Sequence, residues 1–268
     1  MEDLILKHIC ESLHKNEIVA LAVITESSGS SPRKSGSLMA VWQDRKTIGS
    51  VGGGIIEAKV IDKALACIKN KTDDNFSYTL TEEESAMQCG GNIKGYIKVF
   101  YPKERLIIIG SGHISINLYK LAKVLNFYTV IIDEREEFAN KDRFGDADEV
   151  IVSDIDKTLT NYQTSENDYI VIVTNGHKND LKALKILANK KAKYKGMIGS
   201  EKKVKHVMNE LINQGISKDE LQKVYSPIGI NIANSLPEEI ALSILSEILL
   251  IKNNGSLEHM KNIKNIWE

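Results

Sequence analysis

Apolar residues recur along the chain with two distinct periods. Between residues 2 and 15 they fall at Leu4, Leu6, Ile9, Cys10 and Leu13, close to the spacing of one helical face. The run 18–27, IVALAVITES, is nearly continuous and β-branched, which predicts a buried strand. LMAVW (38–42) predicts a second strand, closed by the turn-like QDRK. After TIGSVGGG, residues Ile55, Ile56, Val60, Ile61, Ala64, Leu65 and Ile68 mark one face of a helix. FSYTLTE and GYIKVFYP alternate like half-buried strands, with MQCGG between them. Residues 1–102 therefore predict a small α+β domain, ending near Pro102 without a flexible linker.

From Arg105 the pattern changes. Short apolar runs (RLIIIG, FYTVIID, DEVIV, DYIVIVT, YKGMIGS) alternate with helical stretches such as HISINLYKLAKVLN, DLKALKILANK and KKVKHVMNELINQG. Strands separated by helices of this length predict a parallel sheet covered on both faces. LPEEIALSILSEILLIKN predicts a last helix, with Pro237 in its first turn and Glu238 and Glu239 complementing its positive end. The fold class is α/β: a Rossmann-like domain over 103–268 behind the smaller domain.

Composition narrows the function. A formal net charge of −1 with well-mixed signs argues against a nucleic-acid partner, which calls for a basic face. The Lys-rich ANKKAKYK (188–195) is expected to be a solvated helix end and loop. No apolar run is long enough for a membrane span, and the N-terminus is not a signal peptide, so the cytoplasm is the expected compartment. Three cysteines without CxxC spacing do not predict a disulfide framework. Cys10 and Cys67, on apolar helical faces, are expected to be core residues.

Two glycine-dependent stretches carry the candidate chemistry. In VGGGIIEA, Gly52, Gly53 and Gly54 precede a helix start, where free amides suit a phosphate. Glu57 lies one turn into that helix, and Arg33 and Lys34 in SSPRKSG offer cations to the same anion. A tight strand-to-helix turn between packed domains explains the glycines equally. In LIIIGSGHIS the order is strand, G-x-G-x-x-S, helix. Gly110 allows the turn, Gly112 lets a pyrophosphate approach, and Ser115 replaces the third glycine. Asp133 ends the next strand 21 positions after Gly112, where an acid accepts from ribose hydroxyls. Arg135 beside it leaves NAD and NADP both open. A Rossmann shell kept for packing is the bland alternative. His177 and Asp180, just past another strand end, are a proton-transfer pair, or polar contacts to a ligand, or a loop histidine capping the helix of Asp180. His113, His206 and His259 lack partners in the sequence pattern and are expected on the surface.

Taken together, ESSGSSPRKSGSLMAV, IGSVGGGIIEA, MQCGGNIKGYIKVF, LIIIGSGHIS, VTNGHKNDLKAL, YKGMIGSEKKV and SPIGINIANSLPEEIALSILSEI resemble the xanthine dehydrogenase accessory factors of the XdhC/CoxI type. The resemblance implies a chaperone that binds molybdenum cofactor, a dinucleotide form included, and delivers it to an apo molybdenum hydroxylase. A cysteine desulfurase would supply the terminal sulfur. It implies an accessory protein rather than a turnover enzyme, the alternative being an NAD(P)-dependent oxidoreductase using the Rossmann site. Cys89 in MQCGGN becomes the motif thiol, suited to a transition metal or to carrying sulfur, the alternative being a small hydrophobe that fills a turn. The chain departs from the family at Ile55, where a cysteine is usual, and at Asn231, Ser235 and Leu236, where Asp, Glu and Thr are usual. The first hundred residues call for a partner surface, and a homodimer is expected.

Overall fold

Alternation along one strand sets the architecture of the first half. In the computed structural model of the protein, residues 1–28, 34–79 and 91–264 are described. They divide into two units, Met1–Lys103 and Glu104–Glu268. In the first, β1 (Val19–Ser28) is the central strand of an antiparallel sheet built with β2 (Leu38–Trp42), β3 (Thr47–Gly49), β4 (Asp74–Thr79) and β5 (Asn92–Phe100), in the order β3-β2-β1-β5-β4. Val19 and Leu21 point to one face, where Ile5 and Ile9 of α1 (Glu2–His14) cover them together with Ala40 and Trp42. Ala20, Ala22 and Ile24 point to the other, under Ile56, Val60 and Ala64 of α2 (Gly54–Asn70). This is the period of two expected of a pleated strand, with both faces buried. Trp42 is buried and donates its indole N–H to Ser12 Oγ at 2.8 Å. Cys67 belongs to this core, as its helical position predicts, whereas Cys10 is exposed on the outer side of α1.

The second unit is a parallel sheet in the order β10-β9-β6-β7-β8, from β6 (Arg105–Ile109), β7 (Tyr128–Asp133), β8 (Glu149–Val152), β9 (Asp168–Ile172) and β10 (Tyr194–Met197). The order reverses between β6 and β9, which makes their carboxyl ends the topological switch point of a Rossmann sheet. Ile107 and Ile109 pack beneath α4 (Ile155–Asn161), α5 (His177–Leu187), α6 (Glu201–Asn213) and the short α7 (Lys218–Gln222). Leu106 and Ile108 pack beneath α3 (His113–Val124) and α8 (Pro237–Lys252). Short helices such as α4 lie below the length that periodicity detects. Its N-cap was still written in the sequence, since Asp154 accepts from the Lys157 amide at 2.8 Å.

The Lys-rich stretch after α5 is not merely solvated. Lys195 is buried in β10 and donates to the Leu187 and Ala188 carbonyls at the end of α5, at 3.1 and 2.6 Å. Burial pushes its ammonium below the usual lysine range. Lys190 ties the Thr160 and Tyr162 carbonyls at 3.0 and 2.8 Å. Both lysines close helix ends whose last carbonyls have no intrahelical donor. No helix among the described residues is long and apolar enough to cross a membrane.

Candidate functional site

The three glycines of the first unit make a nest that the chain fills with its own carboxylate. Gly52, Gly53 and Gly54 have φ of 145°, 75° and 60°, a run that side-chain-bearing residues rarely adopt. A Cβ on Gly53 or Gly54 would meet nothing within 4 Å, so backbone conformation, not crowding, selects glycine there. The amides of Val51 and Gly53 both donate to Glu57 Oε2, at 3.3 and 3.1 Å, and the Ser50 hydroxyl donates to the same oxygen at 2.5 Å. Gly52 N–H donates to Ser50 Oγ at 3.3 Å. Glu57 thus reaches back over the first turn of α2 in the manner of a capping box. The anion in the cradle is internal, where the sequence pattern suggested a phosphate. A cleft of about 500 Å³ lies beside it, lined by Met1, Glu2, Ile5, Ser37, Gly49 and Ser50 among others. Ile55, where the family usually has a thiol, is exposed in that first turn. Arg33 and Cys89 lie outside the described residues.

In the second unit β6 delivers Gly110, Ser111 and Gly112 to the switch point. Gly110 has φ 110°, and a Cβ there would overlap the Val173 carbonyl at the end of β9, so the turn and the close packing both require glycine. Gly112 is the N-cap of α3 in extended backbone, and a Cβ would meet nothing within 4 Å. The space in front of α3 is therefore open, and its first-turn amides have no intrahelical acceptor. The middle residue turns inward: Ser111 donates its amide and hydroxyl to Asp133 Oδ2 at 2.8 and 2.7 Å. Arg135 grips the same carboxylate, from Nη2 to Oδ2 at 2.8 Å and from Nε to Oδ1 at 3.0 Å. Burial would raise the Asp133 pKa, but the Arg135 guanidinium and the Ser111 hydroxyl outweigh it and draw it down to about 2. The acid assigned by spacing to a ribose is thus ionised and already engaged by the loop and its neighbour. Arg135 also lies over the Phe138 ring, 4.4 Å from its centroid, with Arg143 5.0 Å from the same ring. Ser115, in place of the third glycine, is buried at the helix–sheet contact, and its hydroxyl has no hydrogen-bond partner among the described residues.

His177 and Asp180 part company. Asp180, in the first turn of α5, is buried, accepts from Thr174 Oγ1 at 2.7 Å and pairs with Lys203 of α6. His177, the first residue of α5, faces outward into a cleft of about 300 Å³ shared with Ser200, Lys202, Lys203 and His206. The proton-transfer pair suggested by the sequence does not form, because the carboxylate turns inward towards Thr174 and Lys203. His206 is exposed on the surface, as expected, and lines the same cleft as His177. The signal for this was the KKVKH spacing, which puts Lys202, Lys203 and His206 on neighbouring positions of one helix face. Asn179 of α5 reaches the Glu134 carboxylate after β7 at 3.1 Å, crossing the carboxyl end of β6. Among the described residues, no group of three or more His, Cys, Asp or Glu side chains could hold a metal ion.

Comparison with known proteins adds to this geometry. The XdhC Rossmann domain family matches residues 106–248, and the XdhC and CoxI family matches residues 12–79. YqeB of Escherichia coli K12, described as uncharacterised, is 28% identical over 240 residues, covering 88% of this chain and 44% of that protein. A Bacillus subtilis protein described as a probable xanthine dehydrogenase component is 29% identical over 154 residues, 58% of this chain and 44% of that protein. The chain thus spans less than half the length of these curated relatives. A crystal structure described as a xanthine dehydrogenase, from Bacillus halodurans, superposes with a TM-score of 0.53 over 96% of this chain and 98% of that one, at 22% identity. That likeness concerns the fold.

Proposed function

The chain belongs to the XdhC family, and from that premise we propose that it is an accessory protein in the maturation of a molybdenum hydroxylase, holding a phosphate-bearing cofactor for the apo-enzyme. The observation that carries this reading is the family match across both units, joined to an open helix start behind Gly112. A molybdenum cofactor, a dinucleotide form included, would place its phosphate on the first-turn amides of α3, where the positive end of the helix favours an anion. The described residues offer no ligand set for the metal itself, so none is assigned a bond to it. What the chain supplies is binding and shielding: Gly112 admits the phosphate, α3 holds it, and Asp133 with Arg135 keeps the loop in place. The apo-hydroxylase and a cysteine desulfurase are the partners of this reading, and a second copy of the chain completes it as a homodimer.

An NAD(P)-dependent oxidoreductase is the weaker reading. An NAD-dependent enzyme uses a carboxylate open to the adenosine ribose, and Asp133 is buried and already engaged by Ser111 and Arg135. It also needs a proton donor beside the nicotinamide, and the His177–Asp180 pair that the sequence offered for that role does not form. The test adds purified chain, wild type or Gly112→Val, to an apo molybdenum hydroxylase with free cofactor, and follows substrate oxidation. The accessory reading expects activation by wild type and loss of it in the variant. Equal hydroxylase activity with and without the wild-type chain would remove the reading.

A further inference from the structure

We propose that the cleft between the starts of α5 and α6 is a second anion site, one that takes a phosphate group independently of anything held behind Gly112. Five residues line it: His177, Ser200, Lys202, Lys203 and His206. None is acidic. The neighbouring acids are accounted for elsewhere. Asp180 is buried and paired with Lys203, and Glu201 pairs with Lys205 on α6 at 2.5 Å. Lys202, His177 and His206 make no hydrogen bond or ion pair among the described residues. Lys203 is paired with Asp180, so the cation without a counter-charge in this concavity is Lys202, and together with the imidazole nitrogens of His177 and His206 it favours an incoming anion.

The cation at the base of this cleft is built in rather than incidental. A Cβ on Gly199 would lie 2.9 Å from Lys203 Cδ, so glycine at that position leaves room for the lysine stem to fold back. Lys203 then reaches Asp180, which Thr174 holds from the β9–α5 loop. Its side chain is only 13% exposed, so the ammonium is held in one place and loses little freedom when a ligand arrives. Two helix starts converge on the same volume, with Gly176 as the N-cap of α5 and Ser200 that of α6. Both lie at carboxyl ends of parallel strands, the edge where ligands of open α/β sheets bind. A volume of about 300 Å³ admits a phosphate or pyrophosphate with its several acceptor oxygens. The shared chemistry is a phosphate group, either free or at the end of a nucleotide.

The experiment titrates the full chain with inorganic pyrophosphate by calorimetry at fixed ionic strength, so that diffuse charge attraction is held constant. The wild type is expected to bind. The double variant Lys202→Gln, His206→Gln replaces exposed side chains only and is expected to lose about tenfold or more in affinity, the scale of charge-assisted contacts. Gly112→Val, which blocks the start of α3, is expected still to bind pyrophosphate in this cleft and to lose that binding when Lys202→Gln and His206→Gln are added, which separates this cleft from the cofactor reading above. An ADP titration identifies the source: tighter binding than pyrophosphate, lost in the same double variant, assigns the phosphate to a nucleotide, and equal binding assigns it to the free anion. Absence of wild-type binding, or equal affinity in wild type and double variant, overturns the proposal. So does loss of binding in Gly112→Val alone.

Discussion

Asp133→Asn tests whether the Gly110–Gly112 loop is held by charge. Asp133 is 3% exposed and takes donors from Ser111 and Arg135 on both oxygens. Its pKa falls from 3.8 to about 2, a net depression achieved against its own burial. At about 1.36 kcal/mol for each tenfold change in acidity, that depression contributes about 2 kcal/mol to stability at neutral pH. The folded value lies below the unfolded one. The contribution is therefore fully present above about pH 4 and is lost as pH falls through about 2. Asparagine keeps one acceptor for Ser111 but turns a donor towards Arg135. Because the Arg135 side chain is 28% exposed, water can re-solvate it, so the cost stays below the roughly 3–5 kcal/mol typical of breaking a fully buried pair. We predict that the variant is less stable by about 2–3 kcal/mol at pH 7. Urea unfolding followed by far-ultraviolet circular dichroism, repeated in steps from pH 7 towards pH 3, should show the gap between wild type and variant narrowing below about pH 4. A gap that is absent at pH 7, or that is unchanged at the acid end, refutes the reasoning.

Three further outcomes follow from the same geometry. Gly110→Ala should destabilise by about 2 kcal/mol or more, since it strains a left-handed turn and drives a methyl into the Val173 carbonyl, whereas Gly112→Ala should be nearly neutral in a thermal melt. If both cost the same, the open space before α3 is wrong. Glu57→Ala should cost about 1–2 kcal/mol and free the Val51 and Gly53 amides, so that sulfate raises the melting temperature of the variant more than that of the wild type; an equal sulfate response would mean that the carboxylate does not fill the nest. Ser115→Ala should stabilise by roughly 1 kcal/mol, because it removes a buried hydroxyl without a partner and improves helix propensity, and a loss of stability would show that the hydroxyl is satisfied after all.

Much of the fold was legible because its strands and long helices bury whole faces. The alternation of Val19 and Leu21 against Ala20 and Ala22 is a two-faced sheet written in sequence. The apolar RLIIIG before GSGHIS places a buried parallel strand ahead of a helix start, and the structure puts it at the switch point. The partners of polar groups were less legible, because they come from residues distant in sequence. His177 and Asp180 are three positions apart, yet the carboxylate meets Lys203 from the next helix. Lys195 looked like surface charge in a lysine-rich run, yet the end of α5 folds over it and supplies carbonyls from seven and eight residues earlier. Spacing reports which face a residue occupies. It does not report which of several nearby charges will claim it.

That distinction also resolves why one chain carries two glycine-dependent turns. Both expose backbone amides at a helix start, and composition alone makes them equivalent phosphate sites. They differ in what lies one turn further on. After Gly54 comes Glu57, whose side chain is long enough to return to the Val51 and Gly53 amides and bring the negative charge with it. After Gly112 come His113, Ile114, Ser115 and Ile116, none of which is acidic, and the Asp133 carboxylate is held behind the loop by Ser111 and Arg135. A second anion entering the first nest would face Glu57 at hydrogen-bond distance and would have to displace it. An anion entering the second meets open space at Gly112 and the positive end of α3. Within each unit taken by itself, electrostatics therefore assigns the self-filled nest to holding its own turn and leaves the Gly112 loop, with the basic cleft of α5 and α6, as the place where a phosphate-bearing ligand gains most.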